Sequence, residues 1–289
     1  MVKNDIFARK EIGCSMFRGG TVEHMEQVEH SKKRQPLIIA HRGDSAKAPE
    51  NTLAAFRRAI DVGADGVEFD VQLASDGVLV VAHDFDLKRT AGRSERITEL
   101  TSKQLAKIDV GSRFNAKFPT KAVAAYADET VPTLEQVLKL YETTSGPIYI
   151  ELKCDDSNYK PLASAICKMI RDSPMLPRMI VKSFKLAAIP EIRHLLPEVQ
   201  TAALFEPSIM TILRKRKYII AMAREFGAHQ ISLHYTLATP KLTALAAHAQ
   251  MPVTIWTADN PRWIARCRER AIGSLITNDP SKMLAARDR

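Results

Sequence analysis

The sequence has no apolar run approaching the roughly twenty residues that a membrane-spanning helix requires. Its first stretch is polar and charged from Met1 through Lys32, Lys33 and Arg34. An apolar core of ~7–15 residues, the mark of a secretory signal, is missing from it. The expectation is a cytoplasmic protein with no stable membrane anchor. Cysteine is scarce as well. Cys14, Cys154, Cys167 and Cys267 are scattered, form no CxxC pair and have no histidine close by. Neither a disulfide framework nor a structural zinc site follows from that spacing, which fits free thiols in a reducing compartment. Low-complexity and collagen-like repeats are absent too, and 45% hydrophobic with 26% charged residues is ordinary globular composition.

What the chain has in excess is positive charge, +9 formally. Such an excess suits nucleic acid, an anionic membrane or a small anionic substrate. The one dense basic run, Arg214 to Lys217, has no interleaved aromatics or zinc pattern around it and reads as a solvated helix face. A nucleic-acid-binding or scaffold function would rest on the net charge alone. A mildly positive field that attracts phosphate esters is the better reading, with a small anionic phosphodiester as partner. Oligomeric state is not legible.

Short apolar runs recur at 36–40, 66–71, 78–82, 148–150, 179–181, 200–204, 230–232, 252–256 and 273–276. Helical patterns fill gaps between them, at 51–62, 133–141, 162–171, 219–226, 240–249 and 260–269. In 51–62, for example, Leu53, Phe56, Ala59 and Ile60 share one face and Arg57, Arg58 and Asp61 the other. Strands alternating with helices imply parallel βαβ units, and continuous Ile/Val/Leu strands imply burial on both faces. A length of 289 residues suits one closed (β/α)8 TIM barrel, with an open doubly wound sheet as the second choice. Two segments fall outside the repeat. Residues 1–34 form a polar N-terminal extension, and within the barrel domain of 35–289 the segment 86–131 is a small insertion after the second repeat. An ordered cap over the barrel mouth is expected there.

The chemistry concentrates at strand ends. His41 and Arg42 follow the first strand, which in a barrel places them at the C-terminal mouth where active sites lie. Glu68 and Asp70 are two apart on one strand, so their side chains share a face. Two buried carboxylates repel unless a cation lies between them. His83 ends a short strand, and Glu151 and Lys153 end another. Oxygen donors without cysteine select a hard cation, Mg²⁺ or Ca²⁺. With such a cation, Arg42 and Lys153 make a receptor for a phosphate. Two histidines that titrate near neutral pH suit acid and base roles on either side of it. Singly, each of these residues has a structural explanation; together, so many charges in a barrel interior do not. Asn51 or Thr52 would cap the first helix, and Glu50 would orient Arg42 from behind.

The run His41–Gly43, Pro49–Thr52, Gly63-Ala64-Asp65, Glu68-x-Asp70, Asp76-Gly77, His83-Asp84 resembles the signature of glycerophosphodiester phosphodiesterases. The resemblance continues through Leu87-x-Arg89-Thr90, Val131–Leu134, Glu151–Lys153, Ser183-Phe184, Trp256-Thr257 and Thr277–Pro280, and spans about 36–285. It implies one divalent metal held by Glu68, Asp70 and Glu151, an acid–base pair in His41 and His83, and phosphate contacts from Arg42 and Lys153. It also implies Trp256 in the substrate pocket and hydrolysis of glycerophosphodiesters to glycerol phosphate and an alcohol. Two residues depart from the pattern: Asp44 after the His-Arg-Gly triplet, and Asn278 where many relatives carry Asp. Neither is expected to touch the catalytic set. Alternative esters are a sugar-phosphate (opine-type) diester or a lysophospholipid. The polar, basic insertion, with Arg89, Arg93, Arg96, Lys103, Arg113 and Lys117, favours a water-soluble diester over an acyl chain.

Overall fold

The structure is a computed structural model that describes residues 35–289 apart from residue 214. The expected extension 1–34 and the first residue of the basic run therefore lie outside the described residues. Strands form at β1 (Leu37–His41), β2 (Gly66–Leu73), β3 (Leu79–Val81), β4 (Ile148–Leu152), β5 (Met179–Ser183), β6 (Gln200–Phe205), β7 (Gln230–His234), β8 (Val253–Trp256) and β9 (Ser274–Thr277). Eight of them pair in parallel in the order β1-β9-β8-β7-β6-β5-β4-β2. Pairing of β1 with β2 in parallel, with His41 opposite Glu68, closes the ring. A TIM barrel results, and the open sheet is excluded. β3 is no barrel strand; it lies antiparallel on β2 as the second arm of a hairpin.

The strands exist where they do because Ile, Val and Leu must leave water on both faces of the sheet. Ile38, Ile39, Val67, Phe69, Ile148 and Ile150 are fully buried. Around the barrel lie α1 (Leu53–Asp61), then α2 (Lys88–Ala91), α3 (Ser102–Leu105) and α4 (Ser112–Lys117) in the stretch after β3, then α5 (Leu134–Tyr141), α6 (Tyr159–Ile170), α7 (Ala188–Leu195), α8 (Ile209–Leu213), α9 (Lys217–Glu225), α10 (Pro240–His248), α11 (Arg262–Glu269) and α12 (Pro280–Arg287). No helix among the described residues is long and apolar enough to cross a membrane.

Three local devices position the mouth. Thr52 starts α1: its Oγ1 accepts from Ala55 N at 3.3 Å, satisfying one of the unpaired amides of the first turn. Gly43 has φ +83°, and a Cβ there would stand 2.5 Å from the carbonyl carbon of Ala55. Only glycine lets the β1–α1 turn lie this close to the helix. Third, α2, α3 and their connecting turns gather on a small core of Leu87, Ile97, Leu105, Ile108, Val110 and Val131, and Phe114 of α4 packs on Ala48, Ala55 and Tyr126. This layer is tied to the β1–α1 loop, where Lys121 Nζ donates to Ala46 O at 2.8 Å and Tyr126 OH to Lys47 O at 3.1 Å.

The barrel interior is polar at two levels. At the deeper one Tyr149 OH meets Thr254 Oγ1 and Ser274 Oγ at 3.1 Å each, and those two hydroxyls lie 2.7 Å apart. Nearer the mouth, neutral groups give way to charges.

Candidate active site

Asp70 and Glu151 are direct neighbours on β2 and β4, and Glu151 and Lys182 on β4 and β5. Because side chains alternate along a strand, this register turns Glu68, Asp70, Glu151 and Lys182 into one interior. Glu68 and Asp70 are each 1% exposed, and Glu151 is buried beside them. One oxygen from each of these carboxylates lies within 4.8 Å of the others.

Three protein cations answer the three carboxylates. Lys182 Nζ is 2.7 Å from Glu68 Oε1 and 3.5 Å from Glu151 Oε2. Lys153 Nζ is 2.9 Å from Glu151 Oε1 and 3.7 Å from Asp70 Oδ1. Arg42 Nε is 3.0 Å from Asp70 Oδ2, an oxygen that also accepts from Asn51 Nδ2 at 3.0 Å. Burial alone would raise the Asp70 carboxyl, but Arg42 and Lys153 outweigh it and hold it well below the usual range. Burial likewise opposes charge on both lysines, and their carboxylate partners keep both ammonium groups protonated. Arg42 and Asn51 both have φ of +57°, a left-handed backbone uncommon outside glycine. Asn51, one of two candidate caps, thus serves Asp70 while Thr52 does the capping.

From Asp70 an ionic chain runs outward. Arg42 NH1 pairs with Glu50 Oε1 at 2.8 Å. Arg89, from α2, grips both Glu50 oxygens at 2.6 and 2.7 Å and Asp84 at 2.7 Å. Asp84 in turn lies 2.6 Å from His83 Nδ1. Burial would raise the Glu50 carboxyl; Arg89 and Arg42 pull it down to about 2. Glu50 therefore pairs with Arg42 and also links it to Arg89 of the α2–α4 layer.

His41 is held differently. Asn278 Nδ2 donates to Asp259 Oδ2 at 2.8 Å, so Asn278 Oδ1 faces the imidazole. His41 Nδ1 must then donate to that oxygen, 2.6 Å away, leaving the Nε2 lone pair free. Burial first, and Arg42 second, lower the His41 pKa to about 4, so the ring is neutral at pH 7. The expectation that neither departing residue meets the catalytic candidates is corrected here. Asn278 fixes the tautomer of His41, whereas buried Asp44 faces Arg58 at 3.4 Å. Lys182 and Asn278 are the two site residues that the sequence did not announce.

Opposite this ionic side the mouth is aromatic. Trp256 meets Phe184 edge-on at 5.4 Å and His234 at 5.3 Å between ring centres. Phe184 and Tyr235 remain 40% and 36% exposed. Between the capping layer and the β1 and β9 loops lies a cavity of about 840 Å³, lined by Glu50, Arg89, Arg113, Lys117, Phe118 and Asn278 among others. Of the nine residues singled out from the sequence, Glu68 and Asp70 lie within β2, while the other seven lie at strand ends or in the loops that follow them.

The acidic group fits a hard cation. Its donors are all carboxylate oxygens, and Glu68 Oε2 is buried with no hydrogen-bond partner. A buried, unmatched carboxylate oxygen is costly unless a cation completes it.

The mouth of this parallel barrel thus sets three buried carboxylates beside guanidinium, ammonium and imidazole side chains. Residues 41–282 match the glycerophosphoryl diester phosphodiesterase family, and the chain belongs to that family. Dependence on a divalent metal is a property of the family, and the buried acidic group is present here. A glycerophosphodiester phosphodiesterase of Caldanaerobacter subterraneus subsp. tengcongensis is 30% identical over 248 residues, 86% of this chain and 96% of its own. A glycerophosphodiester phosphodiesterase structure from Thermotoga maritima is 25% identical, with TM-score 0.66, covering 89% of this chain and 99% of that one. A phosphodiesterase of Oleispira antarctica, solved with its product sn-glycerol-3-phosphate, covers 90% and 99% with TM-score 0.76. At 24% identity that likeness concerns the fold alone.

Proposed function

We propose that the chain hydrolyses glycerophosphodiesters to glycerol phosphate and an alcohol, with one divalent cation, Mg²⁺ or Ca²⁺, held by Glu68, Asp70 and Glu151. The observation that carries this reading is the convergence of three buried carboxylates within 4.8 Å, one oxygen unpartnered. When bound, the cation would supply Lewis-acid stabilisation of charge on the phosphoryl oxygens. Arg42 and Lys153, at the outer side of the carboxylates, would bind the remaining oxygens.

The two histidines divide the proton work. Neutral His41, with Nδ1–H spent on Asn278, offers Nε2 as the base that takes the proton of the attacking oxygen. His83, held by the Asp84 carboxylate, is suited to carry a proton and give it to the departing alcohol oxygen. One P–O bond forms, the ester P–O bond breaks, and one proton moves at each histidine. Residues 35–289 are read as one catalytic unit in which 86–131 caps the mouth.

The cavity wall favours a polar alcohol half, such as a deacylated lipid head group or a sugar. Its acids are already engaged, Glu50 by two arginines and Asp259 by Asn278, while Arg113 and Lys117 remain beside the space. The aromatic face of exposed Phe184 and Tyr235 beside half-buried Trp256 supports a second reading, a lysophospholipid whose chain lies on that side. The test is kcat/KM for glycerophosphocholine, a sugar-phosphate diester and lysophosphatidylcholine, each with Mg²⁺, with Ca²⁺ and after chelation. Highest values for the soluble diesters, lost on chelation, are expected. Full activity in chelator would overturn the metal reading, and a preference for the lysolipid would reassign the substrate.

A further inference from the structure

Lys182 is the one lysine of the site that a substrate cannot reach. Its side chain is 2% exposed, against 14% for Lys153 and 16% for Arg42. It lies on β5 behind the carboxylates, touching Glu68 and Glu151, and its register neighbour on β6 is the uncharged Ala202. Every charged partner it has is therefore a proposed metal-holding carboxylate.

Without a divalent cation, three carboxylates and three cations balance, and Arg42 and Lys153 are committed to Asp70 and Glu151. Bring in two positive charges and the balance depends on Lys182. With its ammonium in place, the cation and Lys182 together neutralise the three carboxylates. Arg42 and Lys153 are then released to bind the phosphodiester. If it were neutral, the occupied group would keep one negative charge, repel the substrate and retain the two mouth cations. The same ammonium also repels the incoming dication at short range, where a low dielectric makes the effect large.

We propose that Lys182 is a positioning residue, a resident counter-cation that weakens metal binding and in exchange frees Arg42 and Lys153 for the phosphate. The inference rests on the metal reading above. It predicts that one substitution moves two affinities in opposite directions, which a merely structural lysine would not do.

The experiment uses the full chain with Lys182→Met. Titration calorimetry with MgCl2 and with CaCl2 should show tighter binding than wild type, by about ten- to hundredfold, the scale on which groups behind metal ligands act. At saturating metal, KM for glycerophosphocholine should rise about tenfold, on the same scale, with kcat changing less. Unfolding followed with and without Mg²⁺ should show a larger metal-induced rise in Tm than wild type. Should Lys182→Met fail to fold, the change is made in a Glu68→Gln background, where the buried pair is lost together; metal binding should again tighten relative to Glu68→Gln alone. Unchanged or weaker metal binding on loss of Lys182, or an unchanged KM, would overturn the proposal. A wild-type protein that binds neither Mg²⁺ nor Ca²⁺ would instead overturn the metal reading beneath it.

Discussion

Two levels of one barrel interior, a single pleat apart on β4, follow opposite rules. At Tyr149 the deeper level is neutral: three hydroxyls satisfy one another around Ile39, Ile180 and Ile276. At Glu151 the upper level carries six charges and leaves Glu68 Oε2 without a partner. A closed neutral network stabilises and has nothing left to offer a ligand. Charged groups that balance in sum but not atom by atom hold binding capacity in reserve.

The contrast can be broken most forcefully at the upper level. Glu68→Gln or Asp70→Asn should lower kcat/KM by at least about 10³-fold, since a cation contributes several kcal/mol to the transition state. Circular dichroism should meanwhile show the barrel intact. Loss of fold in step with activity would mean that the upper level is structural after all. His41→Ala and His83→Ala should each reduce turnover by about 10²–10⁴-fold with little change in metal affinity. A substrate that releases p-nitrophenolate should rescue His83→Ala far more than His41→Ala; the reverse pattern would exchange their roles. Asn278→Ala leaves the His41 tautomer unfixed, and a fall in kcat of about ten- to hundredfold is expected, with KM nearly constant. The smallest effect tests the deeper level. Tyr149→Phe removes one hydroxyl from a network whose other two still pair, and should cost about 1 kcal/mol of stability by denaturant unfolding. Its kcat should equal that of wild type, and a large catalytic defect would dissolve the distinction between levels.

Most of the barrel is legible because runs such as Ile148–Ile150 have only one place to go, a sheet covered on both faces. The antiparallel placement of β3 is not: three residues, Leu79–Val81, state burial but no direction. Helix α7 carries Pro190 in its first turn, which masks its period in the sequence, although a helix tolerates proline there. Helix α12 announces itself only through its cap, Asp279 accepting from Lys282 N at 3.1 Å ahead of Pro280. Among site residues, those at strand ends stand out because charge follows an apolar run. Lys182 escapes notice for the converse reason, since a lysine after Ile180 and Val181 reads as the strand's exit into water. Only the register with Glu151 shows that it points inward. Asn278 is chemically unremarkable, and its importance comes from a contact spanning 237 positions.

That span has a consequence for how the protein is made. His41 leaves the ribosome early, but the side chain that sets its tautomer comes 237 residues later, an interval of roughly ten to fifty seconds at 5–20 residues per second. The β1–β9 pairing that seals the ring depends on the same late segment. A nascent chain halted before residue 274 would have Glu68, Asp70, Glu151 and both histidines, yet no β9 and no Asn278. The ring and the contact that orients His41 are therefore completed together, by the same late segment.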